Sequence, residues 1–203
     1  MSARCAVLVL ALLAGGCLAA PIDRPAPVTA SDFRTEQVRR PAIFVRLVFA
    51  GPFEDQERQR MLADYEGALL EALNTRAVLA NDVRILGERE PRLEPVAAVE
   101  KARAVGADHA VSVQVRVTRG GQALFCAETR RPFRAPSTVW GQSVDVLRAS
   151  DGATRLVVGA TGGALDVYDF EADCDNPRAS TRRTTTEAIS EAVKRLLNRV
   201  VGP

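Results

Sequence analysis

The sequence predicts an α/β (α+β) domain, a mixed β-sheet of about five strands with two to three helices packed on it. Three observations carry that expectation. Ala42-Ile43-Phe44-Val45-Arg46-Leu47-Val48-Phe49 is rich in β-branched and aromatic residues and nearly all apolar, and a long helical stripe follows it at once. Strands and helices then alternate, which argues for crossover connections within one sheet. Further on, the pattern becomes strand, tight turn, strand and closing helix, giving the order β-α-β-α-β-β-β-α. The 203 residues suit one domain with a tail, and a hydrophobic fraction of 47% argues against wholesale disorder. With 27 basic against 25 acidic residues the chain lacks a broad field for nucleic acid, so no nucleic-acid partner is expected.

Residues 1–19 read as a secretory signal peptide. Arg4 supplies the positive start, Cys5 to Leu13 is an unbroken apolar run, and Ala14, Gly15 and Gly16 are small. The run is too short to cross a bilayer as a stable helix. Two processing routes are open. Leu13-Ala14-Gly15-Gly16-Cys17 resembles a bacterial lipobox, with Ala14 where the motif prefers Leu. Lipidation of Cys17 would make it an acyl (palmitate) anchor, and Leu18 after it resembles sorting to the outer membrane. The alternative is cleavage after Ala19. Either route gives an exported, periplasmic protein, and the first adds membrane contact through the N-terminal lipid.

Cys126 and Cys174 remain after processing, an even pair in an oxidising compartment. A disulfide between them is expected, worth about 4 kcal/mol in the chain-entropy picture. Two buried thiols are the alternative.

Residues 20–40 carry Pro21, Pro25 and Pro27 and no apolar periodicity, so a flexible tether is expected, with residues 41–203 as the globular domain. Its span as a coil would be roughly 25 Å. A segment lying along the domain and pinned by Phe33 is the other reading. The strand over 42–49 ends at Gly51-Pro52. Glu54 to Arg76 places Met61, Leu62, Tyr65, Ala68, Leu69, Ala72 and Leu73 on one helical stripe, with Glu54, Asp55 and Glu57 suited to the N-terminal dipole. A short strand over 83–86 and a helix over 96–105, ended by Gly106, come next. Val111, Val113, Val115 and Val117 alternate with polar residues in a strand over 109–118. Gly120-Gly121 reads as a turn, and residues 122–136 as a weak strand or long loop. Thr138 to Ala149 and Thr154 to Ala160 form a hairpin about Ser150-Asp151-Gly152. Residues 164–179 read as a loop, and 180–201 as an amphipathic helix.

The order from residue 42 to 201, with Gly106-Ala107-Asp108-His109 before a Val-rich strand and Ser150-Asp151-Gly152 between strands, resembles a group of bacterial envelope lipoproteins. The group comprises the penicillin-binding-protein activator LpoB, the periplasmic part of the curli secretion protein CsgG and the N-terminal domain of TolB. The resemblance implies an α/β domain without enzymatic activity that works through protein partners. It carries over no binding residues.

Chemistry-bearing patterns are sparse. His109 is the lone histidine, and a triad through it would need Ser112 or Ser143 without a G-x-S-x-G elbow. Gly159 to Gly163 lacks a following Gly-Lys-Ser/Thr, so a bulge is expected there and not a phosphate cradle. Asp166, Asp169, Glu171, Asp173 and Asp175 lack calcium-loop spacing. No catalytic residue, metal or cofactor is expected. Arg130, Arg131 and Arg134, with Tyr168 and Phe170, form the candidate interaction surface; Arg182 and Arg183 are a second basic pair. The expected function is a non-enzymatic envelope lipoprotein acting as a protein-interaction or assembly module, like a cell-wall synthase activator or a secretion component. The alternatives are a soluble periplasmic ligand-binding protein and a cell-wall or lipid hydrolase using Asp145 and Asp166. Oligomeric state is not readable.

Overall fold

β2 (Ala42–Ala50) is apolar enough to be covered on both faces, and it lies between two parallel neighbours, β3 (Asp82–Leu86) and β4 (His109–Cys126). The computed structural model describes residues 28–126, 131–159, 165–171, 173 and 180–203, without the side chains of 122–126 and 131–135. Parallel neighbours require crossovers. α1 (Asp55–Thr75) connects β2 to β3, and α2 (Pro95–Ala104) connects β3 to β4. β5 (Arg131–Arg148) returns antiparallel to β4, and β6 (Thr154–Val158) returns antiparallel to β5. β1 (Val28–Thr29) adds to β6, and β7 (Val167–Tyr168) pairs with β5 at Val139 and Trp140. The result is a mixed seven-stranded sheet ordered β1-β6-β5-β4-β2-β3, with β7 on β5. β8 (Phe170–Glu171) and β9 (Thr181–Arg182) form a two-stranded ribbon, and α3 (Thr185–Val200) closes the chain.

The α/β class is as expected, with more strands than the five anticipated. The extra strands arise where short segments gain main-chain partners that no local pattern announces, as at β1, β7, β8 and β9. Gly120 and Gly121 are not a turn. Both lie inside β4 and neither has positive φ, because the ladder to β5 runs on through them, Gly120 opposite Ser137 and Gly121 opposite Pro136. Residues 131–136, expected as a weak strand or loop, belong to β5 for the same reason.

α1 and α3 share one face of the sheet. Met61, Tyr65, Leu69 and Leu73 of α1 meet Ile43, Val45 and Leu47 of β2, the alternate valines of β4, and the α3 stripe from Ala188 to Val200. α3 begins at Thr185 and not at residue 180. Thr184 caps it, accepting the Glu187 N–H at 3.2 Å, while the Glu187 carboxylate accepts the Thr184 N–H at 2.7 Å. α2 covers the other face, where Ala98, Val99 and Ala102 pack on Ala42, Phe44 and Ala110.

One buried polar network ties these layers together. Gln142 of β5 is fully buried. Its Oε1 accepts the Tyr65 hydroxyl at 2.9 Å, and its Nε2 donates to the carbonyls of Leu165 at 2.9 Å and Ala192 at 3.0 Å. Burial pushes the Tyr65 phenol well above its ordinary pKa, so it remains a donor at any physiological pH.

From residue 28 onward the expected tether instead lies along the domain. Phe33 and Val38 are buried, and the Asp32 carboxylate meets the buried Arg155 guanidinium at 2.8 Å. A buried guanidinium needs such a partner. The main-chain N–H groups of Arg39 and Arg40 donate to Asp108 Oδ2 at 3.0 and 2.8 Å, and Asp108 Oδ1 lies 3.0 Å from His109 Nδ1. A tether over 20–40 was expected because three early prolines dominate the composition; the anchor residues Asp32, Phe33 and Val38 have no periodicity.

Two outcomes follow. Gln142→Leu takes the buried partner from the Tyr65 hydroxyl and the Leu165 carbonyl, and the second bond from the helical Ala192 carbonyl, and should lower unfolding free energy by about 2–4 kcal/mol in urea titration. An unchanged midpoint would refute the network's role. Phe33→Ala should cost about 3 kcal/mol locally, seen as at least about tenfold faster tryptic cleavage after Arg34 and Arg39 while the sheet and helices persist.

Candidate interaction surface

β4 and β5 are each 18 residues long and outrun the sheet. β2 stops at the pair Ala50↔Thr118, whereas the β4–β5 ladder continues from Arg119↔Thr138 to Cys126↔Arg131. The overhang is a two-stranded arm of roughly 25 Å.

The base of the arm is fixed on both sides. On the β4 side, Arg119 makes a bidentate pair with Glu57 of α1, through NH1 to Oε2 at 2.9 Å and through NH2 to Oε1. The same guanidinium donates to the Pro52 carbonyl at 3.2 Å and lies 4.2 Å from the Phe53 ring centroid. Phe53 meets Phe49 edge to face at 5.4 Å. Gly51, at φ +110°, permits this approach: a Cβ there would sit 2.5 Å from the Arg119 carbonyl oxygen. On the β5 side, Thr138 exchanges two bonds with Asp169, through N–H to Oδ1 at 2.8 Å and through C=O to the Asp169 N–H at 3.0 Å. Arg182 donates to the Pro136 carbonyl at 3.0 Å and lies 5.6 Å from the Phe170 ring centroid. Arg183 reaches Glu171 at 3.0 Å.

The anticipated surface residues fall mostly on this arm and its flank. Arg131 and Arg134 stand on β5 within the arm, opposite Cys126 and Ala123. Tyr168, half-buried, pairs with Val139 just below it, and half-buried Phe170 opens β8 two residues on. Sequence distance separates 131–134 from 168–170, and the β5–β7 pairing brings them to one strand edge. Arg130, Cys17 and Cys174 lie outside the described residues, as does the glycine cluster 160–163. Cys126 ends β4, so the expected Cys126–Cys174 disulfide also lies outside them. Arg119, Glu57 and Asp169 were not anticipated as part of this surface. Their long-range pairings leave no local pattern, although Glu57 was visible as a helix-start carboxylate.

The Ser–His arrangement weighed in the sequence does not assemble. His109 shares the parity of Val111 and points with the α1–α3 face, while Ser112 and Ser143 register on the opposite face. Asp145, half-buried and therefore pushed up in pKa, is engaged by Arg92. A surface hollow near Arg103, His109 and Ser150 offers few free groups. Arg103 is bound to the carbonyls of Ala149 and Ser150, and His109 faces Asp108. Among the described residues no cluster of His, Cys, Asp or Glu could hold a metal, and no helix is long and apolar enough to cross a membrane.

No family model and no curated relative matches the chain. Among solved structures, it is similar to the PelC dodecamer from Paraburkholderia phytofirmans at 13% identity and a TM-score of 0.36, covering 88% of this chain and 94% of that one. It is similar to the hypothetical protein CT253 from Chlamydia trachomatis at 11% identity and 0.32, covering 80% and 99%. It is also similar to the lipoprotein GNA1162 from Neisseria meningitidis at 10% identity and 0.28, covering 80% and 100%. No functional residue is carried over from any of them.

The arm base should respond to acid. Arg119 holds the Glu57 carboxyl below its ordinary value of 4.5. A lowered folded-state pKa contributes stability above the unfolded value, and that contribution is lost as pH falls through the folded value. Glu57→Gln should lower the urea midpoint at neutral pH and converge with the wild type as pH falls past 4.5 and through the lowered folded-state value. Equal differences at both pH values would overturn the assignment. The partly exposed pair is worth about 1 kcal/mol at most after solvent screening.

Proposed function

We propose that this chain is an exported, non-catalytic envelope protein that docks another envelope protein through the β5 side of its arm. The observation that carries the reading is the arm itself, a two-stranded overhang held at its base by Glu57–Arg119 and Asp169–Thr138. The signal-like leader argues for export, and Cys17 within the lipobox-like segment is the proposed lipidation site. The partner surface would combine acidic groups for Arg131, Arg134 and Arg182 with a cleft for Tyr168 and Phe170, since Arg and Tyr are frequent anchors. Such a domain works by presentation: the lipid would fix one end, and the arm would reach from the other.

The test places a photo-crosslinking residue at Arg134 in cells, in the wild type and in Cys17→Ser. The expected result is one reproducible envelope partner, an acyl mass on Cys17, and at least about tenfold less crosslink in Cys17→Ser, reflecting lost effective concentration. A product beginning at Ala20 with no reproducible partner would overturn the reading and favour a soluble periplasmic ligand binder.

A further inference from the structure

The two edges of the arm differ. Thr138 directs both its main-chain N–H and its C=O outward to Asp169. By strand alternation, Pro132, Arg134 and Pro136 are the other outward-directed positions of β5, and their partners Phe125, Ala123 and Gly121 are the outward-directed positions of β4. Pro132 and Pro136 therefore remove no β4–β5 bond. They delete outward donors from the β5 edge, and Arg182 occupies the Pro136 carbonyl. This is how edge strands are kept from pairing with other chains.

The β4 edge carries none of these devices. Residues 120–126 read Gly-Gly-Gln-Ala-Leu-Phe-Cys, with neither proline nor charge. Among the described residues no strand pairs with this edge beyond Thr118. Gly121 is exposed, and a Cβ on it would meet nothing within 4 Å. The register is also self-complementary. Antiparallel pairing of two copies about a dyad at Ala123 sets Ala123 against itself and Phe125 of each copy opposite Gly121 of the other. Each of these pairs exchanges both main-chain bonds. Small faces large at both ends, an aromatic opposite an edge glycine is a favourable combination, and the absence of charge in 120–126 removes like-charge repulsion along the ladder. We propose that the β4 edge of the arm, at Gly121, Ala123 and Phe125, is a homodimer interface that joins two copies into one continuous antiparallel ribbon. A closed two-fold contact of this kind uses the same patch on both subunits. It leaves the β5 side free for the partner proposed above and does not depend on that reading.

Sedimentation velocity over rising concentration tests it, on the full exported chain carrying Cys17→Ser for solubility. Ala123→Pro deletes an outward donor without touching the β4–β5 ladder, and Ala123→Lys puts two like charges at the dyad. The expected result is a concentration-dependent dimer in the parent and loss of the dimer in both variants, with circular dichroism unchanged. If Ala123→Pro perturbs the spectrum, Ala123→Lys decides. A parent that stays monomeric, or a dimer that survives Ala123→Lys, overturns the proposal. Because position 134 lies directly opposite 123, the partner crosslink is measured from position 168, in the parent and in the Ala123→Lys variant, both with Cys17 intact. Its persistence alongside loss of the dimer shows two separate surfaces; its absence in the parent as well bears on the partner reading alone.

Discussion

Gln142 stands where β5, α1, α3 and the segment entering β7 converge, and its amide is used on both ends. An amide buried at this depth is costly unless each group is paired. The pairing fixes three things at once: the height of α1 through Tyr65, the height of α3 through the Ala192 carbonyl, and the path of the chain at Leu165. Apolar contacts alone would allow these layers to slide by a fraction of a turn, because ridges of Leu, Val and Ala fit one another in several ways. The hydrogen bonds select one arrangement. β5 is thereby anchored in the core, and the same strand runs outward without interruption to form half of the arm.

The overhang beyond that anchor is supported by charge. A two-stranded ribbon alone in water is marginal. Here the ribbon inherits rigidity from its buried roots and from a collar of ion pairs and ring contacts. Arg119, Glu57, Phe53 and Phe49 hold one edge, while Asp169 and Arg182 hold the other. Surface ion pairs are individually weak, but these act at the point where the arm leaves the sheet, and there a small gain restrains a long lever. Gly51 lets the β2–α1 corner close against Arg119, so the glycine read in the sequence as a strand terminator also seats the arm.

Much of the fold was legible because its signals are local. The stripe from Met61 to Leu73, the valines from 111 to 117 and the α3 stripe report burial through their spacing, and all face the core. Gly51, Gly106 and Gly152 end or turn elements, and each has positive φ. The arm was not legible. Gly-Gly and two prolines carry turn chemistry in isolation, and only the pairing of 119–126 with 131–138 turns them into strand. The folded-back segment from 28 to 40 was legible only as the alternative pinned by Phe33, since Asp32 binds Arg155 and the Arg39–Arg40 backbone binds Asp108 across large gaps in sequence. Of the candidate surface, residue types were readable and their convergence was not. Tyr168 and Arg134 share a strand edge because Val139 pairs with Tyr168, a contact without local precedent.

The folded-back segment changes what an N-terminal anchor can do. Val28 pairs with Val157, which registers through Asp145 with Ser112, near the start of β4. The arm ends at Cys126, so along β4 the described chain enters roughly 45 Å from the arm's end. With Cys17 lipidated as proposed, only residues 18–27 would separate the anchor from Val28, which bounds their reach at about 40 Å even at full extension. That is shorter than the full extension expected had the whole of 20–40 been free. The domain's entry edge would then stay near the membrane, and the length of β4 would set the distance at which the arm is presented. Reach in such a protein comes from a strand and not from a linker. A strand specifies direction as well as distance, so the search volume open to the arm is small and its effective concentration toward a fixed partner is correspondingly high.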